Sequence, residues 1–377
     1  MILERARLKN FRNHNNTEIY FSPRVNIFIG QNGQGKTNIL EALTYLSLTK
    51  SIFSSSDLNL VKHNTGFFNI DGSFYDDRQI RFNVSAHYSE KEKRKTFLIN
   101  SAPIKKLSTV IGSFPVVALF PEHLKITSGS PAERRKFVDI ALSQTDPLYV
   151  ESLLKYKKAL QQRNALLSNK NIFVSEETLE PWSEQIIEHG TEIIFERNKF
   201  FRDFEKEITA SYKKITEENE SPSVKYKPTF EISDVDTKKV IAEKFRTALN
   251  KIFTTEKKIR TSIVGPHRDD IELLLNGTKL NEFASRGQHK TFLVALKNAE
   301  FAYLKHRTKE TPILILDDLF SELDENRAKK VFENFTSQGQ TFVTSAQNIF
   351  YKTNEGDTKI FIVENGSVKQ EEIKNYA

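Results

Sequence analysis

Three stretches carry side chains whose types and spacing suit a bound triphosphate. In the first, the apolar run Val25-Asn26-Ile27-Phe28-Ile29 ends in Gly30-Gln31-Asn32-Gly33-Gln34-Gly35-Lys36-Thr37, and a helical pattern with Ile39, Leu40, Leu43 and Leu46 follows. Gly-x-x-x-x-Gly-Lys-Thr between a strand and a helix is a phosphate-binding loop. Its glycines let the backbone curl so that N–H groups point inward, and the helix start adds partial positive charge behind them. From there Lys36 can reach the β and γ phosphates of a bound triphosphate, and Thr37 can hold Mg²⁺.

In the second stretch, Ile313-Leu314-Ile315-Leu316 ends in Asp317-Asp318. A strand ending in acid sets a carboxylate beside such a loop. Asp317 is the expected anchor for Mg²⁺ and its water shell, and Asp318 the expected group that polarises the attacking water. The plainer alternative is that one of them only caps the next turn. The third stretch, Ser285-Arg286-Gly287-Gln288, opens a helical pattern. Ser-x-x-Gln is an ordinary capping box, yet a serine, a glycine and bare N–H groups at a helix start also make a γ-phosphate binder. Because the chain already has its own phosphate loop, this second binder points to a nucleotide held by another subunit.

The elements that must position these groups alternate in type. Residues 3–8, 17–21 and 25–29 read as short strands, with a polar turn at 8–13. Residues 67–75, 79–88 and 95–99 read as a meander with a hairpin turn at Asp76-Asp77 and a charged tip at 90–95, and 115–120 as a buried strand. Beyond Phe120 the texture is helical. Ser130-Pro131-Ala132-Glu133 reads as a capping box, Asp146-Pro147 starts a helix to about Leu167, and Pro181 starts another to about Lys214. Residues 217–227 read as a polar loop and 238–254 as a helix, with helices too short and too weakly heptad-patterned for a long coiled-coil arm. Strands at 260–264 and 271–275, a helix to about His306, and buried strands at 313–316, 341–345 and 359–363 complete the chain, with Gly366 in a closing hairpin.

With 377 residues the chain can bury a large core. It contains no cysteine, which excludes disulfides, thiolate metal sites and a cysteine nucleophile, and fits a reducing cytoplasm. The first residues lack an apolar signal-peptide core, and no apolar run is long enough to span a bilayer, so no membrane association is expected. Formal charge is +7 with a pI near 9.1, a mild basic bias compatible with nucleic acid. Candidate phosphate contacts are Arg134, Arg135 and Lys136 at one helix start, Lys155, Lys157 and Lys158 on the next, and the pair Lys105 and Lys106. Solvated helix faces are the competing reading, and for Arg134 and Arg135 pairing with acidic neighbours is another. No stacking ladder or groove-reading helix is evident, so sequence-specific binding is not expected.

Gly30 to Thr37, Ser285 to Gln288, Ile313 to Asp318 and Ser321-Glu322-Leu323-Asp324 occur in the order of the Walker A, signature, Walker B and D-loop motifs of ABC-type ATPases. Within that class the chain resembles the RecF family of bacterial recombination mediators. The likeness runs through Leu8-Lys9-Asn10-Phe11-Arg12-Asn13, Gly129-Ser130-Pro131-x-x-Arg134-Arg135 and Gly265-Pro266-His267-Arg268-Asp269 to Leu316-Asp317-Asp318-x-x-Ser321-Glu322-Leu323-Asp324. The resemblance implies an α/β fold: a P-loop ATPase head with a mixed sheet and flanking helices (residues 1–119 and 307–377), plus a mainly helical lobe (120–306) carrying the signature near its end.

The same resemblance implies ATP-driven head-to-tail dimerisation, with nucleotide clamped between one subunit's Gly30–Thr37 loop and the other's Ser285, Gly287 and Gln288. It implies Arg12 near the nucleotide. It also implies binding to gapped DNA at duplex/single-strand junctions, and work with RecR and RecO to load RecA in repair and replication-fork recovery. Asp318 stands where transporter-type relatives carry glutamate, one methylene longer, so slow hydrolysis is expected. Thr344-Ser345 stands where many relatives carry a switch histidine. The rival readings are a transporter ATPase subunit, a structural-maintenance type head, and a nucleotide-gated scaffold that recruits RecR with negligible turnover.

Overall fold

The computed structural model describes residues 1–171, 173–216, 220–318, 325–346 and 357–371. Its contacts divide the chain into two units. The first comprises Met1–Leu124, Lys213–Glu217 and Leu293–Ala377, and the second Lys125–Tyr212 and Glu218–Phe292.

The first unit opens with β1 (Ile2–Phe11), β2 (His14–Tyr20) and β3 (Val25–Ile29), followed by α1 (Lys36–Leu48). Next come β4 (Phe67–Tyr75), β5 (Arg81–Ser89), β6 (Arg94–Ile99), β7 (Ala102–Pro103) and β8 (Val116–Leu119). A short helix α2 (Leu124–Ser128) leads to α3 (Pro131–Ser143), α4 (Pro147–Ser168) and α5 (Glu176–Ile215). Then follow β9 (Pro222–Lys227), α6 (Lys238–Ile259), β10 (Asp270–Leu275), β11 (Thr278–Lys279), α7 (Leu280–Phe283) and α8 (Arg286–Thr308). The chain closes through β12 (Ile313–Leu316), α9 (Glu325–Thr336), β13 (Thr341–Ser345), β14 (Thr358–Glu364) and β15 (Ser367–Glu371).

Two six-stranded sheets build the first unit. One is antiparallel throughout, in the order β2-β1-β4-β5-β6-β7. The other runs β15-β14-β3-β13-β12-β8, parallel except for β15. β3, β12 and β13 are buried along their whole length, as strands of a covered parallel sheet are. α1 lies between the sheets, touching β1, β4 and β5 on one side and β8 and β13 on the other. That placement accounts for its being buried nearly all round, from Ile39 to Leu48.

The second unit carries the helices expected after Phe120, but α5 is longer than expected at 40 residues. It starts at Glu176, before Pro181. Ser175 and Thr178 cap it, each backbone N–H donating to the other's hydroxyl. Pro181 sits close enough to the start to forfeit little of the ladder. Three further expectations fail here. Residues 217–227 are not all loop, because β9 pairs with β10 in a three-stranded antiparallel sheet. Residues 260–264 are not a strand: Arg260 (φ 60°) closes α6 in the left-handed region, and a loop follows. Ser130 is the N-cap residue of α3, but its side chain makes no capping bond.

Candidate nucleotide-binding site

β3, β13 and β12 are parallel neighbours in that order, so their C-terminal ends share one sheet edge. The Gly30–Thr37 loop leaves β3, and Asp317 leaves β12. Across β13 the two meet: Thr37 Oγ1 donates to Asp317 Oδ2 at 2.8 Å. Two hard oxygens at this separation fit a Mg²⁺ ion that also takes phosphate oxygens. Asp317 is 5% exposed, and burial pushes its carboxyl above the usual range. Hydrogen bonds from Thr344 and Thr37 pull it back down.

The loop itself is open above and braced below. Gln31, Asn32 and Gly33 are exposed, whereas Gly35 and Lys36 are buried. Gly33 (φ 83°) and Gly35 (φ 110°) adopt the left-handed backbone that the curl requires. Lys36 Nζ donates to Gly30 O at 2.5 Å and Gln31 O at 3.0 Å, so the ammonium lies over its own loop. Burial lowers its pKa, opposed by Asp317 and Asp318. Asp318 is exposed, with φ 46°.

A brace under the loop was not anticipated in the sequence. Asn13 Nδ2 donates to Gln34 O at 3.0 Å, and Asn38 Nδ2 donates to Asn13 Oδ1 at 2.8 Å. His14, wholly buried, bonds Gly35 O through Nε2 at 3.1 Å and Thr17 Oγ1 through Nδ1 at 3.1 Å. From the other side, Gly366 N donates to Gln34 O and Asn365 N to Gln34 Oε1. Thr17 Oγ1 ties the two hairpins by donating to Gly366 O at 3.0 Å. The β1–β2 turn and the β14–β15 turn thus hold the loop from outside. Arg12 does not touch the loop. It makes a bidentate pair with the buried Glu41 of α1, at 2.8 and 2.9 Å.

Ser285, Gly287 and Gln288 stand at the start of α8, in the second unit. The local capping box is real: Ser285 N donates to Gln288 Oε1 at 2.8 Å, and Gln288 N to Ser285 Oγ at 3.2 Å. Gln288 Nε2 also donates to Glu220 at 2.7 Å. Ser321 to Asp324 lie outside the described residues.

The basic cluster on α3 divides. Arg134 turns inward, its side chain 8% exposed, to pair with Asp270 at 2.9 Å and to donate to Gly129 O at 2.8 Å. Arg135 donates to Asp269 O at 2.6 Å. Of the two arginines expected among the DNA contacts, Arg134 is thus held by an acidic neighbour and a carbonyl, and Arg135 by a carbonyl. Lys136, Lys105, Lys106, Lys157 and Lys158 are exposed, and Lys155 pairs with Glu151. The Gly265–Asp269 motif is equally internal. Asp269 is fully buried, accepting from Tyr226 and from Thr229 N at 2.9 Å, while Arg197 donates to Pro266 O at 2.8 Å.

Strand order, loop and acid together define an ABC-type ATPase head of the P-loop class. The family model described as RecF/RecN/SMC N terminal domain matches residues 2–369. The DNA replication and repair protein RecF of Streptococcus gordonii is 36% identical over 369 residues, covering 98% of this chain and 100% of the relative. That of Acetivibrio thermocellus is 37% identical over 377 residues, covering 97% and 99%. The solved structure of a recombination mediator protein RecF with ATP, in the RecFOR pathway, superposes with a TM-score of 0.90 at 30% identity, over 98% of this chain and 97% of that one. An Smc head bound to the C-winged helix domain of ScpA shares the fold, with a TM-score of 0.55 at 13% identity. The chain belongs to the RecF family of DNA replication and repair proteins. Among the described residues, no helix is long and apolar enough to cross a membrane.

Proposed function

We propose that this chain is a cytoplasmic, ATP-dependent DNA-binding protein of gap repair and replication-fork recovery. It dimerises head to tail on ATP, binds gapped DNA without sequence preference, and helps load RecA together with RecO and RecR. The observation that carries this reading is the contact between Thr37 and Asp317 at the strand edge beside the phosphate loop. Thr37 and Asp317 would hold Mg²⁺, which would supply charge neutralisation to the triphosphate. Gly30 to Gly35 offer backbone N–H groups to the phosphates, and Lys36 moves from its loop carbonyls to the γ-phosphate. Asp318 takes the proton of the attacking water. Being shorter than glutamate, it holds that water poorly, which supports slow hydrolysis, and the ATPase, stimulated by DNA, acts as a timer. Ser285, Gly287 and Gln288 of a second copy close over the phosphates.

Sedimentation of the full chain with ATP, with ADP and without nucleotide, each with gapped DNA or plain duplex, tests this. The expected result is a dimer with ATP, further favoured by gapped DNA. Monomers under every condition contradict it.

A further inference from the structure

We infer that Thr344 is a positioning residue that sets both acidic groups of the site, an inference that rests on the ATP reading above. β13 runs between the loop strand β3 and the acid strand β12, so a side chain near its C-terminal end stands between loop and acids. Thr344 is 1% exposed there. Its Oγ1 donates to Asp317 Oδ1 at 2.5 Å and accepts from the Asp318 N–H at 3.0 Å. The direction of both bonds follows from the groups: an ionised carboxylate only accepts, an amide N–H only donates, and a hydroxyl has one proton.

Two consequences follow for the acids. Asp317 receives a hydroxyl on each oxygen, from Thr344 on Oδ1 and from Thr37 on Oδ2. Two donors on opposite oxygens fix the plane of the carboxylate, and each oxygen keeps a lone pair for a metal ion or its water. Asp318 has a left-handed backbone, which a non-glycine residue adopts only at a cost. The bond from its N–H to Thr344 holds that turn just where the second acid leaves the strand. With its one proton committed to Asp317, Thr344 acts through the acids and is not itself a phosphate donor. Thr344 thus makes Mg²⁺ affinity, rather than nucleotide affinity as such, depend on the end of β13.

The test measures the affinity of the full chain for a fluorescent ATP analogue, with Mg²⁺ and with a chelator, in wild type, Thr344→Val and Thr344→Ser. Thr344→Val keeps the branched shape but loses both hydrogen bonds. It should lose about tenfold or more of the affinity gained on adding Mg²⁺, the scale set by partners that orient a metal ligand. Its metal-free affinity should stay within about twofold of wild type, and its kcat should fall more than its KM changes. Thr344→Ser should restore the Mg²⁺ gain. A full Mg²⁺ gain in Thr344→Val, or an equal loss with and without metal, overturns the inference. If Thr344→Val does not fold, Thr344→Ala carries the same comparison with the same two outcomes. A wild-type chain that binds the analogue under neither condition overturns the ATP reading, and this inference with it.

Discussion

Thr37 Oγ1 and Asp317 Oδ2 lie 2.8 Å apart across 280 positions of sequence. Only a parallel sheet that brings the ends of β3 and β12 to one edge makes that contact. Asp317→Asn retains an acceptor for Thr37 but removes the charge that draws Mg²⁺. ATP turnover should fall by roughly two orders of magnitude or more, as when other preorganised charge-stabilising groups are removed. Thermal stability should change little. Steady-state phosphate release beside a melting curve checks both, and a variant that turns over normally removes Asp317 from the site.

Gly35 is constrained twice. Its φ is 110°, and a Cβ there would lie 2.6 Å from the Asn13 amide. Gly35→Ala should strain the loop by about 1–3 kcal/mol and displace Asn13 from Gln34 O. Nucleotide affinity should drop by at least about tenfold, read by titration with a fluorescent ATP analogue. Gly33→Ala, where nothing lies within 4 Å, carries only the backbone cost and should be milder.

The inward turn of Arg134 separates stability from DNA binding. Arg134→Ala breaks a largely buried pair and should cost about 2 kcal/mol, since Asp270 keeps some solvent. Its DNA affinity, measured well below the melting temperature, should keep the wild-type salt slope. Lys105 and Lys106 are exposed, and replacing both with alanine should leave stability unchanged. If they meet phosphates, the salt slope of DNA affinity falls by about one per lysine. Fluorescence anisotropy across a salt series distinguishes the variants.

His267 gives the second unit a pH dependence. Its ring bonds Tyr156 Oη at 2.6 Å and Ser262 O at 3.1 Å. Burial pushes its pKa down to about 4, helped by the charges of Arg268, Arg135 and Arg163. The unfolded chain therefore binds the proton first as pH falls. Stability should be full above the ordinary histidine pKa of about 6.5 and should be lost progressively down to about 4, by up to about 3 kcal/mol. His267→Gln should flatten that part of the profile. Denaturant melts from pH 7.5 to 4.5 check it, and parallel profiles for both chains contradict it.

What the sequence disclosed was local. The loop from Gly30 to Thr37, the acid strand at Ile313–Asp318 and the Ser285–Gln288 box each lie within one short window, where strand, turn and helix signals overlap. What it hid depends on distant partners. The pairing of β9 with β10 exists only through a ladder, and a Pro- and Lys-containing segment gives little strand signal alone. Arg134 finds its acid 136 positions away, and Thr17 meets Gly366 across 349. Thr344 is one of three hydroxyl residues in β13, Thr341-Phe342-Val343-Thr344-Ser345, and nothing local sets it apart; its partners are visible only once β12 and β13 lie side by side.

On the proposed function, each nucleotide site needs two copies of the chain. Mixing two inactive variants tests it most directly, Lys36→Ala with a disabled phosphate loop and Ser285→Arg with a disabled α8 start. Each alone should lack ATP turnover. Mixed in equal amounts on gapped DNA, random pairing yields one intact composite site in each mixed dimer, and turnover should recover to roughly a quarter of wild type. No recovery, or Ser285→Arg alone hydrolysing ATP at the wild-type rate, contradicts a shared site.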